Sequence, residues 1–167
     1  MADPAKSSGT IAPGRRDLIL RVCSALVLAP LAIGAAYIGG WPFAIFWGLA
    51  AMGVLWEWSS LAAGSERRSI VMVGGAALVV ALVLAAGGRL MGAVIVTAMG
   101  IIGLAPMAPV RHRGWVAGGL PYAGAIGIAP IALRADTEDG FVAVMFLFAI
   151  VWTTDILGYF AGRAIGV

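Results

Sequence analysis

Six apolar runs, each close to twenty residues and separated only by short polar breaks, constrain this chain more than any other feature. They extend from Leu18 to Ile38, Trp41 to Ala63, Ile70 to Gly87, Leu90 to Val110, Trp115 to Leu133 and Phe141 to Ala161. A hydrocarbon core about 30 Å thick is crossed by roughly 20 residues rising about 1.5 Å each. Within lipid, backbone polar groups must be satisfied inside the segment or inside a closed barrel, and continuous apolar runs, unlike alternating ones, fit only helices. The sequence therefore predicts an all-α fold, a polytopic bundle of about six transmembrane helices. The third run, interrupted by Gly74 and Gly75 and closed by Gly87 and Gly88, is the shortest, and its loss would invert the topology downstream. Pro30, Pro121 and Pro130 fall inside runs, where neighbouring helices re-satisfy freed carbonyls, and mark expected kinks.

Composition excludes the soluble alternative. Hydrophobic residues make up 62% of the chain and charged ones 11%, against roughly half and a quarter in soluble domains. Residues 1–16 are rich in Pro, Gly, Ser and Ala and read as a disordered tail, leaving 17–167 as the membrane domain. The first apolar run is longer than the 7–15 residues of a cleaved signal, so it is expected to be retained.

Positive charge sets the orientation. Lys6, Arg15, Arg16, Arg21, Arg67, Arg68, Arg111, Arg113 and Arg163 fall at one set of run ends, against Arg89 and Arg134 at the other. The positive-inside rule places the N-terminus in the cytoplasm, and the chain is expected to be integral to the cytoplasmic (inner) membrane. The net charge of +3 does not point to nucleic acid, because the basic residues stand in pairs at helix ends and not in a patch with interleaved aromatics. Topogenic charge that also meets anionic headgroups accounts for the pairs. The single Cys23 cannot make an internal disulfide, and His112 has no second metal ligand near it in sequence.

Ionisable residues inside a span cost roughly 2.5–3.5 kcal/mol on insertion scales and are functional candidates by default. Glu57 and Asp155 qualify. Each lies six residues before the end of its apolar run, about 9 Å along a helix, so the two are expected to share a depth near the cytoplasmic boundary. Trp152, Asp155, Tyr159 and Gly162 or Arg163 recur at spacings of three and four and share a helical face. A carboxylate beside the hydroxyls of Thr153 and Thr154 suits Mg2+, which is held by one or two carboxylates together with waters and substrate phosphates. The plain structural alternatives are a carboxylate tied to Thr or Arg for packing, a Glu57 that snorkels between Trp56 and Trp58, and a packing stripe at Gly158, Gly162 and Gly166.

The segment Trp152-Thr153-Thr154-Asp155-Ile156-Leu157-Gly158-Tyr159-Phe160-Ala161-Gly162-Arg163 resembles the Thr-Asp-x-x-Ala-Tyr-Phe-x-Gly-Arg segment of phosphatidate cytidylyltransferases, with Gly158 where that family commonly has Ala. Arg21, the Trp56-Glu57-Trp58 run, Gly119-Leu120-Pro121 and Leu133-Arg134 follow in the family's order. The resemblance covers nearly the whole chain but only the N-terminal part of the family, whose members continue into a further metal- and nucleotide-binding region. It implies transfer of CMP from CTP to phosphatidate, giving CDP-diacylglycerol and pyrophosphate, with Mg2+ required. It also implies Asp155 as the metal-linked catalytic carboxylate, Arg163 as a phosphate contact, and Tyr159, Thr154 and Glu57 around the substrate. A missing C-terminal half, or a homodimer, is the expected partner for the exposed glycines. The rival readings are an ion- or proton-coupled transporter, for which no inverted repeat is visible, and a catalytically silent membrane subunit.

Overall fold

The computed structural model describes residues 13–62, 67–108 and 110–165, with side chains from residue 23 onward. Residues 1–12, most of the expected tail, lie outside the described residues, as do the side chains of Arg15, Arg16 and Arg21 and the whole of Gly166. Six helices follow in order: α1 Pro13–Ile38, α2 Gly40–Ala62, α3 Arg67–Ala86, α4 Leu90–Leu104, α5 Arg113–Arg134 and α6 Gly140–Ile165. Five helical stretches, α2 to α6 with their short 3-10 extensions, are long and apolar enough to cross a membrane, and Cys23–Ile38 of α1 is a shorter apolar helix. The protein is an integral membrane protein.

The helix ends follow from local chemistry. α1 opens on Pro13, whose missing N–H is no loss at a first helical position. α3 closes in a Schellman turn: Gly88 has φ +75°, its N–H reaches Ala85 O at 3.0 Å, and Arg89 N–H reaches Leu84 O at 2.8 Å. α4 stops as an α-helix at Leu104, short of the expected Val110. Pro106 cannot supply the next N–H and its ring crowds the preceding turn, so the chain tightens into a 3-10 turn over Ala105–Met107. α1 and α5, by contrast, continue through Pro30, Pro121 and Pro130.

The packed core lies among α2, α3, α4 and α5, where Leu55, Ile70, Leu78, Leu104, Val116 and Leu120 are buried together. Without water to drive helices together, close approach of small residues supplies the contact. Gly74 and Gly75, which make the third run look weakest in sequence, are buried in α3 against Leu55, Leu104 and Met52 and are part of what holds it. A second, smaller cluster of Ala32, Ala36, Phe43, Val144 and Phe148 fastens α1 and α6 to the α2 side of this core. Arg67, Arg68, Arg111, Arg113 and Arg163 gather at one end of the bundle, the basic end, and Arg89 and Arg134 mark the other.

Candidate active site

α6 is built in two halves. Val144 and Phe148 are buried, but from Ala149 to Ile165 every residue except Gly162 is exposed. The second half carries Thr154, Asp155, Tyr159 and Arg163, so the segment that looks functional in sequence is the part of α6 that leaves the packed bundle. An added Cβ at Gly158 or Gly162 would meet nothing within 4 Å, so no described helix packs on that stripe.

An aromatic ladder rises along one face of α6 toward the basic end. Trp47 of α2 lies 6.2 Å from Phe148 between ring centroids, and Phe148 stacks on Trp152 at 5.5 Å with planes 21° apart. Asp155 follows Trp152 by three residues on the same face. It stands at the edge of a groove of about 630 Å3 formed by α1, α2 and α6, of which Trp47, Phe148 and Trp152 are one wall. Among the described residues the Asp155 carboxylate has no hydrogen-bond or ion-pair partner.

The other expected site residues are arranged differently. Thr154 Oγ1 donates to Ile150 O at 2.9 Å and Val151 O at 2.8 Å, committing its proton to its own helix. With Thr153 it lines a separate shallow depression and not the groove of Asp155. Tyr159 is exposed, its ring edge-on to Phe160 at 5.7 Å, and Arg163 is exposed one turn further on. Glu57 is exposed on α2 and is not part of the groove that includes Asp155.

α6 continues four residues beyond the apolar run that stops at Ala161, through Gly162 and Arg163 to Ile165. Among the described residues no group of three or more His, Cys, Asp or Glu side chains comes together as a metal site. Asp155 fits Mg2+ as one carboxylate ligand, the remaining positions falling to waters and phosphate oxygens.

Sequence reasoning missed the environment of Trp58. Its neighbour Trp56 lies at the surface under Arg67, 4.4 Å from the guanidinium, as a headgroup-level residue would. Trp58 instead turns into the bundle, where Nε1 donates to Trp115 O at 2.7 Å and the ring meets Trp115 at 6.0 Å and Tyr122 at 5.4 Å. It lies on the bare backbone of Gly119, and with Leu61, His112 and Trp115 it borders a cavity of about 280 Å3 near the basic end. The Gly118-Gly119 pair ahead of Leu120 was the available signal, since glycine in a membrane helix permits a close approach.

Residues 19–167 match the model of the Cytidylyltransferase family. The chain belongs to that family. Among curated proteins it is similar to the phosphatidate cytidylyltransferases of Brucella abortus (strain 2308), Brucella suis biovar 1 (strain 1330) and Brucella melitensis biotype 1, at 34% identity over 153 residues in each case. The match takes in 90% of this chain and 56% of each relative, so this cytidylyltransferase-family chain spans little more than half the length of the relatives it matches. No solved structure matches it.

Proposed function

We propose that this chain belongs to a phosphatidate cytidylyltransferase, an enzyme that transfers CMP from CTP to phosphatidate. In the balanced reaction a phosphate oxygen of phosphatidate attacks the α-phosphorus of CTP, the bond to the bridging oxygen of the β-phosphate breaks, and CDP-diacylglycerol and pyrophosphate result. The observation that carries this reading is Asp155, unpaired at the edge of a groove in the exposed half of α6, within the segment that resembles the family. The basic end, which holds most of the arginines, faces the cytoplasm on this reading, where CTP is found.

Asp155 supplies a carboxylate ligand, Arg163 pairs with phosphate oxygens as a fixed cation, and Tyr159 borders the substrate beside them. Bound Mg2+ would neutralise charge on the reacting phosphates. The groove side of α6 excludes water from the lipid portion while the exposed end stays open to a soluble nucleotide.

The test is transfer of labelled CMP from CTP to phosphatidate in micelles with Mg2+. It compares the chain, the chain extended by its downstream reading frame, and Asp155→Asn in whichever of these is active. Asp155→Asn is expected to lower the rate by about a hundredfold or more, at or above the usual effect of losing a metal site's supporting group, without changing helix content. Failure of a folded, extended protein to transfer CMP at all would overturn the reading in favour of a silent subunit.

A further inference from the structure

We propose that the groove between α1, α2 and α6 is an acyl-chain site for the phosphate-bearing lipid whose headgroup meets Asp155. The inference rests on the reading of Asp155 as a cation-binding carboxylate and adds where the lipid lies. On α2 and α6 the groove is lined by the ring ladder of Trp47, Phe148 and Trp152; on α1 it is lined by Ala25, Ala29 and Ala32, spaced four and three residues apart, with Leu28 beside them. Elsewhere a bulky side chain meets glycine or alanine and the gap closes, as Trp58 does on Gly119. Here large rings face small residues and a slot remains. A void between helices forfeits dispersion contacts, and in a bilayer a hydrocarbon chain is the group at hand to restore them.

The shape favours a chain over another helix. The cluster of Ala32, Ala36, Phe43, Val144 and Phe148 joins α1, α2 and α6 directly and closes the slot at its deep end. A helix about 10 Å across cannot enter between helices already in contact; an acyl chain can. Polarity fixes which way the occupant points. Asp155 is the charged side chain lining the groove, and it lies seven residues beyond Phe148, about 10 Å along α6 toward the basic end. The groove therefore suits a molecule with its hydrocarbon at the deep end and its anionic head at the basic end, bridged to Asp155 by a cation.

The experiment uses phosphatidate carrying a diazirine on one acyl chain, photolysed with the protein in phosphatidylcholine nanodiscs and mapped by mass spectrometry. Adducts are expected within 25–32 of α1 and 147–156 of α6. They should be displaced by unlabelled phosphatidate and not by added phosphatidylcholine, and reduced about tenfold by Ala29→Trp, the scale on which a pocket discriminates added bulk. Ala25→Trp, at the groove mouth, is the second variant should Ala29→Trp not fold. Displacement by either lipid alike, or adducts indifferent to a folded filling variant, would show ordinary boundary lipid and overturn the proposal. Neither CTP nor turnover enters this readout. An inactive protein that passes keeps the groove and loses the enzyme reading; an active one that fails keeps the enzyme and loses the groove.

Discussion

Replacing Arg134 with alanine should loosen the end of the bundle opposite the basic end, at a cost set by the bonds this side chain makes. α1 ends at Ile38 and, like any helix, leaves its last four carbonyls without an intrahelical donor. Gly39, at φ +69°, turns the chain so that its own N–H donates to Ala35 O at 2.8 Å. The next two carbonyls are served from α5: Arg134 Nε donates to Ala36 O at 2.7 Å and Nη2 to Tyr37 O at 3.5 Å. The guanidinium also lies 5.9 Å from the ring centroid of Phe141 in α6. One side chain thus ties three helices and places positive charge at the negative end of the α1 dipole.

A hydrogen bond to a charged group contributes about 1.5–3 kcal/mol, the longer contact adds little, and an exposed cation–π pair adds about 0.5–1 kcal/mol. The site is only part-buried, so screening lowers the total to about 2 kcal/mol. At about 2–4 °C per kcal/mol for a chain of this size, Arg134→Ala should lower the melting temperature in detergent by about 4–8 °C. Arg134→Lys keeps the charge but not the fork and should lose about half as much. Gly39→Ala supplies an internal control. Alanine at that φ costs about 1–2 kcal/mol, and its Cβ would lie 2.8 Å from Nη2, displacing the same guanidinium. The two substitutions should therefore fall short of additivity by about 0.5 kcal/mol or more. A melt within about 1 °C of the unaltered protein, or full additivity of the pair, would refute the capping argument.

Gly119→Ala should destabilise by about 1–3 kcal/mol, because the new Cβ would run into Trp58 Cδ1 and the indole is held in place by its bond to Trp115 O; thermal melting reads the loss, and Gly158→Ala, in open space, should be near neutral. In the loop before α6, the Asp136 carboxylate accepts from the N–H groups of Asp139 and Glu138 at 2.9 Å, and these bonds hold its pKa below the ordinary 3.8. A depressed carboxylate contributes stability that is present above the unfolded value and lost as pH falls through the folded one. Asp136→Asn should therefore lower the melting temperature slightly at neutral pH, the group being exposed, and the two profiles should converge as pH falls below about 4 and the carboxylate is protonated.

How much of this could be read from the chain alone divides along one physical line. Helix number and approximate position follow from the solvent: twenty apolar residues in lipid have no alternative but to be helical, and even the doubtful third span forms, since Gly74 and Gly75 are weak only by intrinsic propensity and are strong where Leu55, Leu104 and Met52 close on them. The face of α6 was equally legible, because spacings of three and four within one continuous helix fix which residues are neighbours, and Trp152 and Asp155 obey that geometry. What the sequence pattern does not convey is which polar side chains share a surface. Glu57 and Asp155 each lie six residues before the end of an apolar run, yet the groove that includes Asp155 does not include Glu57. Thr154 looks like a companion to Asp155 because they are adjacent in sequence, yet neighbours in a helix point about 100° apart and Thr154 bonds back to Ile150 and Val151 on another side. The tilt of Trp58 into α5, like the slot beneath Asp155, depends on which small residue the facing helix presents at that level. Ala25, Ala29 and Ala32 are ordinary in a membrane helix until the ring ladder across from them is known, and then they become the reason that a space of lipid dimensions lies below the candidate catalytic carboxylate.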